Sequence, residues 1–319
     1  MGQLVDGKWV TDAQFVKDSD GRFRRKAVTF RNWIKADGST PFTPEAGRYH
    51  LYIANACPWA HRTMVFRKLR GLEEAITISI VDTLMLDNGW QFNDAEGYIP
   101  DTVNGKTYLY EVYQQADSNY SGRVTVPILW DKQTETIVNN ESSEIIRMFN
   151  SEFAAIAKPG TDYYPAHLQA EIDEINERVY HTVNNGVYKS GFARTQIAYE
   201  EAVIPLFETL DFLEDRLASQ RYLVGDQITE ADWRLFTTLV RFDPVYVGHF
   251  KCNLRKIEDY HNLSNYLRDL YQQPGVADTV NLPQIKEHYY RSHESVNPTG
   301  VVPIGPIIDY SRPHDRDKF

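Results

Sequence analysis

The hydrophobic spacing of this chain changes character once, in the stretch 152–164, and that change constrains the fold before any motif is considered. Up to it, apolar residues gather in short runs rich in β-branched and aromatic types: Arg48-Tyr49-His50-Leu51-Tyr52-Ile53-Ala54, Ala75-Ile76-Thr77-Ile78-Ser79-Ile80-Val81, and Val124-Thr125-Val126-Pro127-Ile128-Leu129-Trp130. Beyond it, from Pro165 to about Gly275, they recur at helical intervals, as in Leu168, Ile172, Ile175, Val179 and Val183, and again in Ile204, Phe207, Leu210, Leu213 and Leu217. Strand faces repeat every second residue and helix faces every three to four, so the two patterns predict an α/β region followed by an all-α one. The chain has 319 residues, a length at which a single core usually divides.

Within the first region a strand at 48–54, an amphipathic helix at 58–71 closed by Gly71, and a strand at 75–81 make a β-α-β unit. Such a unit implies parallel neighbours with functional groups at their C-terminal ends. Residues 83–120 lack a regular period and read as long loops. Pro127 cannot donate to a ladder, which places it at a strand start, an edge or a turn, with a cis bond as an option. A hairpin partner follows at 136–138. Asn140-Glu141-Ser142-Ser143-Glu144 then precedes the apolar residues Ile145, Ile146, Met148 and Phe149, a helix start whose side chains suit the first-turn amides. In the helical region Thr229 and Asp232 form a capping box. The expected division is 1–45 as an N-terminal extension, 46–155 as the α/β domain, 165–280 as the helical domain and 281–319 as a C-terminal tail.

Lys and Arg total 34 against 44 Asp and Glu, a net charge of −10, which argues against a nucleic-acid or anionic-membrane partner. Arg22-Phe23-Arg24-Arg25-Lys26 is the one tight basic cluster and reads as a solvated, irregular segment. There is no apolar run of membrane-spanning length and no apolar leader, so a cytoplasmic protein is expected. The two cysteines, Cys57 and Cys252, are expected to be free thiols.

Cys57-Pro58-Trp59-Ala60-His61-Arg62 carries the chemistry. Pro58 suits the first helical position, having no amide hydrogen to leave unsatisfied. Cys57 then falls at the N-cap, where unpaired amides and the helix dipole favour the nucleophilic thiolate. Three residues on, where a Cys-x-x-Cys pair would have its second sulfur, stands Ala60. A mixed disulfide on Cys57 must therefore be resolved by an external thiol. Cys252 has no helix start around it and reads as structural. The histidines do not fall at metal-ligand spacing and no Gly-rich phosphate loop is present, so neither a metal nor a nucleotide is expected.

Together, the β-α-β opening, Cys-Pro at a helix start, Val126-Pro127, Glu141-Ser142 and the helical second half resemble a cysteine-type glutathione transferase. Trp59, the aromatic insertion after the second strand and the tail His288-Tyr289-Tyr290-Arg291-Ser292-His293 resemble its Xi-class branch, the glutathionyl-hydroquinone reductases. The resemblance implies a thioredoxin-like N-terminal domain, an all-helical C-terminal domain and a homodimer. It implies glutathione as co-substrate, with Cys57 as nucleophile and Trp90, Arg123, Val124, Val126, Glu141 and Ser142 as its contacts. Tyr188 and Tyr289 are implied to face an aromatic glutathionyl-hydroquinone. Two rivals stay open: an Omega-like thioltransferase or dehydroascorbate reductase using the same cysteine, and a non-catalytic binding module on this scaffold.

Overall fold

The computed structural model describes residues 2–11 and 20–319, which divide into two compact units. The first holds residues 2–11 and 27–161; the second holds residues 20–26 and 162–319. Residues 1 and 12–19 of the expected extension lie outside the described residues.

In the first unit, β1 (Gln3–Val5) and β2 (Lys8–Val10) pair antiparallel where no period was legible. The turn between them is Asp6-Gly7, at φ values of 47° and 72°, the positive pair that a two-residue hairpin of this twist requires. The main sheet contains β3 (Tyr49–Ile53), β4 (Ile76–Ile80), β5 (Ile128–Asp131) and β6 (Thr136–Asn139) in the order β4-β3-β5-β6. Only the β3–β4 pair is parallel, as the β-α-β reading requires; β5 and β6 run antiparallel to their neighbours. β3 is buried along its whole length, so its polar side chain His50 needs partners. They are Thr77 Oγ1 at 2.7 Å and Ser79 Oγ at 2.9 Å on β4. Burial pulls the His50 pKa down to about 4.

α1 (Pro58–Leu69) crosses between β3 and β4 and packs against α3 (Ser142–Ser151). The stretch 83–120, expected as loops, contains α2 (Leu109–Ala116). Its buried residues are Leu109, Val112 and Tyr113, a three-to-four spacing masked by the polar tyrosines and glutamines around it. Glu111 opens the helix by accepting from the Tyr108 amide at 2.7 Å. The expected strand at 124–130 starts later, at Ile128, directly after a cis Val126–Pro127 bond.

The second unit is helical: α4 (Gln169–Val179), α5 (Gly186–Gly191), α6 (Gln196–Leu217), α7 (Glu230–Arg241), α8 (His261–Tyr271) and α9 (Leu282–Ser292). Single π-helical turns, Tyr180–Asn184 and Phe242–Tyr246, follow α4 and α7. Asp232 at the start of α7 is fully buried and accepts four hydrogen bonds, from Thr229 N and Oγ1, Leu223 N and Tyr266 Oη. No helix among the described residues is long and apolar enough to cross a membrane.

Candidate active site

β3 ends at Ile53, and the chain turns through a Cys57 N to Ala54 O hydrogen bond of 3.0 Å into α1. Cys57 is the N-cap, with extended backbone (φ −77°, ψ 119°), and Pro58 is the first helical residue. The first turn carries no acidic side chain. The thiol is half-buried, and its Sγ lies 3.6 Å from the carbonyl oxygen of Val126, the residue before the cis proline. The Cys57 sulfur is thus set beside the buried Val126 carbonyl, at the C-terminal end of the parallel pair β3–β4.

A second helix start lies close by. Arg62, one turn into α1 and buried, reaches Ser142 Oγ at 3.5 Å while its guanidinium covers the Trp59 ring at 4.5 Å. Ser142 is the first residue of α3 and Glu141 its N-cap. The Glu141 carboxylate accepts from Ser143 N at 3.1 Å and Ser143 Oγ at 2.9 Å, both on Oε1. Trp90 is buried just beyond β4; its carbonyl accepts from Leu109 N, and its neighbour Gln91 accepts from Asp82 N. The Arg123 carbonyl accepts from Tyr120 Oη at 3.1 Å, and Val124 follows it toward the cis bond. Cys57 and Val126 are therefore in contact, and Glu141 and Ser142 share one helix start.

In the second unit, Tyr188 on α5 and Tyr289 on α9 meet hydroxyl to hydroxyl at 2.6 Å. Tyr246, from the π-helical turn after α7, adds a third phenol 3.1 Å from Tyr289. The sequence Phe242-Asp243-Pro244-Val245-Tyr246 carries no local signal for this, and Tyr246 was not singled out among 20 tyrosines. Burial raises the phenols of Tyr246 and Tyr289 well above their ordinary value, so both stay protonated donors. Tyr188 is half-buried and forms the outer end of the group. Phe192, Phe250, His249 and His293 pack around the three rings. His249 Nε2 lies 3.2 Å from His293 Nδ1, and burial lowers both, His249 to about 4. Gly191 is required here, since a Cβ would stand 2.1 Å from the Phe250 ring. Cys252 is wholly buried and its thiol is pushed up to about 12, as suits a structural cysteine.

Residues 56–152 match the N-terminal domain of glutathione S-transferases and residues 196–269 match the C-terminal domain. The glutathionyl-hydroquinone reductase YqjG of Escherichia coli is 56% identical over 324 residues, 99% of each chain. Its counterpart PcpF of Sphingobium chlorophenolicum is 56% identical over 306 residues, 96% of each chain.

The chain belongs to the glutathione S-transferase family.

Among solved transferases, the Xi-class enzyme from Natrialba magadii superposes with a TM-score of 0.96 at 52% identity, covering 100% of this chain and 98% of that one. The glutathione-bound structure of E. coli YqjG superposes at 0.91 with 55% identity over all of both chains. This transferase is thus a member of the Xi class, and the expected fold, a thioredoxin-like sheet domain followed by a helical domain, is the one observed.

Proposed function

We propose that this transferase is a glutathionyl-hydroquinone reductase. The Cys57 thiolate attacks the thioether sulfur of the substrate. The ring reacts as its keto tautomer, in which the carbon bearing sulfur is next to a carbonyl: an S–S bond forms, the C–S bond breaks, and its electron pair passes through the ring to that carbonyl oxygen, which takes up a proton to give the free hydroquinone. A second glutathione thiolate then attacks the Cys57–glutathione disulfide, releasing glutathione disulfide and restoring Cys57. The net reaction consumes one glutathionyl-hydroquinone and one glutathione and yields one hydroquinone and one glutathione disulfide.

The residues fit glutathione chemically. The Val126 backbone pairs with the cysteinyl part. The Glu141 carboxylate accepts from the γ-glutamyl amine, and the α3 start at Ser142 receives the carboxylate. Arg123 binds the other carboxylate, with Trp90 and Val124 completing the contacts. Tyr188 and Tyr289 donate to the hydroquinone oxygens, meeting the negative charge that the leaving aryl group develops. The enzyme works in the cytoplasm as a homodimer, and sedimentation at micromolar concentration tests the latter: a monomer there overturns it.

The observation that carries this reading is the lone thiol. Cys57 caps α1 with its sulfur on the Val126 carbonyl and Ala60 where a resolving cysteine would stand, in a chain 56% identical to two glutathionyl-hydroquinone reductases. The test is turnover of glutathionyl-menadiol against dehydroascorbate, with intact mass after exposure to glutathione disulfide. The expected result is strong preference for the first substrate and one glutathione adduct, absent in Cys57→Ser. A preference for dehydroascorbate, or no adduct, overturns it.

A further inference from the structure

The basic run at 22–26 is not a free solvated segment. It is strapped across α5, the short helix that carries Tyr188. At one end Gly21 O accepts from Arg194 N at 3.1 Å, and Arg22 makes a two-pronged ion pair with Glu201 of α6, both bonds 2.8 Å. Gly21 sits at φ +73° and so close to the helix that a Cβ would stand 2.9 Å from Thr195. At the other end Arg25 Nε donates to Oδ1 of the buried Asn185, the residue immediately before α5, at 2.8 Å. Between these anchors the strap lies on Tyr188. The Phe23 ring stacks on it at 6.3 Å and packs at a tilt against Phe192 at 5.4 Å, and the Arg25 guanidinium stands 4.9 Å over the centre of the Tyr188 ring.

Phe23 alone would satisfy packing. A guanidinium on the face of a phenol does something further: it is attracted to the ring's electron density, and more strongly as the phenolic oxygen gains negative charge. Tyr188 is the half-exposed member of a group whose other two tyrosines are buried, so it is the phenol most open to an incoming substrate. When Tyr188 gives its hydrogen bond to an oxygen becoming anionic, charge is drawn onto its own oxygen, and a cation over the ring favours that shift. Asn185 fixes the cation's position from the same helix that fixes the phenol.

We propose that Arg25 is a positioning residue for the acceptor half of the reaction, holding the Tyr188 ring from the N-terminal strap and strengthening its hydroxyl as a donor to the hydroquinone oxygen. This rests on the reading that Tyr188 faces the acceptor. It gives the strap a task that its basic composition alone does not suggest.

The experiment compares the full-length enzyme with Arg25→Lys, Arg25→Met and Phe23→Leu, using glutathionyl-menadiol and glutathione. Arg25→Met is expected to lower kcat by about three- to tenfold, the range of a partly desolvated cation–π contact, with KM for glutathione unchanged. Arg25→Lys keeps a cation but not the Asn185 hydrogen bond and is expected to retain most of kcat. Glutathionylation of Cys57 by glutathione disulfide, which needs no phenol, is expected to proceed at one rate in all forms. An unchanged kcat in Arg25→Met overturns the inference, and so does an Arg25→Lys as slow as Arg25→Met, since the hydrogen bond alone would then be at work. A drop in Phe23→Leu matching that of Arg25→Met likewise reduces the strap to packing. If the unsubstituted enzyme fails to turn over the probe, the proposed reaction itself fails, a result distinct from all of these.

Discussion

Removing one oxygen atom, by Tyr289→Phe, separates what the phenol group contributes to folding from what it contributes to turnover. The Tyr289 ring is buried and its hydroxyl bonds Tyr188 at 2.6 Å and Tyr246 at 3.1 Å. Phenylalanine keeps the ring's contacts with Phe250, His249 and His293 while withdrawing a partner from two other phenols. A buried hydroxyl left short of a partner costs about 1–3 kcal/mol. In a domain of this size, roughly 2 kcal/mol lowers Tm by about 4–8 °C. The catalytic effect is separate. Deleting a donor aimed at developing negative charge costs about 10²–10³ in kcat. Tyr188 remains in place, so a fall of about ten- to a hundredfold is expected here. The assay pairs a thermal melt with two rates: steady-state reduction of glutathionyl-menadiol, and glutathionylation of Cys57 followed by intact mass. The expected outcome is a lowered Tm, a lowered kcat and an unaltered glutathionylation rate. A lowered Tm with full kcat would make the phenol cluster a packing device, and a glutathionylation rate that falls in step with kcat would place its action on the thiol instead of the acceptor.

Cys57→Ser is expected to cut reduction by on the order of 10³-fold or more and to leave no glutathione adduct by mass. Glu141→Gln is expected to raise KM for glutathione about tenfold, the loss of one charge-assisted hydrogen bond, with kcat little changed; a fall in kcat at constant KM would refute the assignment. Acid should destabilise the fold through its buried histidines. His50 and His249 have folded pKa values near 4 against an ordinary 6.5, so between those limits the unfolded chain binds protons that the folded chain does not, and stability falls as pH falls. The loss by pH 5 is about 2 kcal/mol for each, and His50→Asn, which keeps a neutral polar group beside Thr77 and Ser79, should lose correspondingly less between pH 8 and 5 in urea melts. An identical pH dependence in the variant would refute this.

The thiol at the start of α1 was legible because its signals are local. A proline at the first helical position, a cysteine before it and an alanine three residues on are read within one turn. Likewise Glu141 and Ser142 advertise a helix start by residue type, and Val126-Pro127 interrupts a strand-like run at one point. Even the missed α2 follows this rule, since its Leu109, Val112 and Tyr113 do repeat at helical spacing but are outnumbered by polar neighbours. The phenol group obeys no such rule. Tyr188 and Tyr289 are 101 residues apart, Tyr246 and Tyr289 are 43 apart, and Arg25 reaches Asn185 across 160. Pairings of that span leave no period in the chain, and resemblance rather than residue pattern pointed to Tyr188 and Tyr289.

The character of the surroundings explains why hydroxyl number matters at this cluster. Its walls are aromatic, and His249 and His293 are held neutral by burial, so they bring no positive charge to a substrate oxygen at pH 7. Tyr246 and Tyr289 keep their protons for the same reason. On the proposed reading of this cluster as the acceptor site, an aromatic diol would stack well against such walls, but the charge that grows on its oxygen as the C–S bond breaks would be poorly tolerated among apolar rings. Hydrogen-bond donors in a low-dielectric setting, each polarising the next, answer that need with fixed geometry and no reorganisation. A cation placed over the outermost donor, and not beside the substrate itself, strengthens the series without offering a hydroquinone an ion pair that would hold the product as firmly as the transition state.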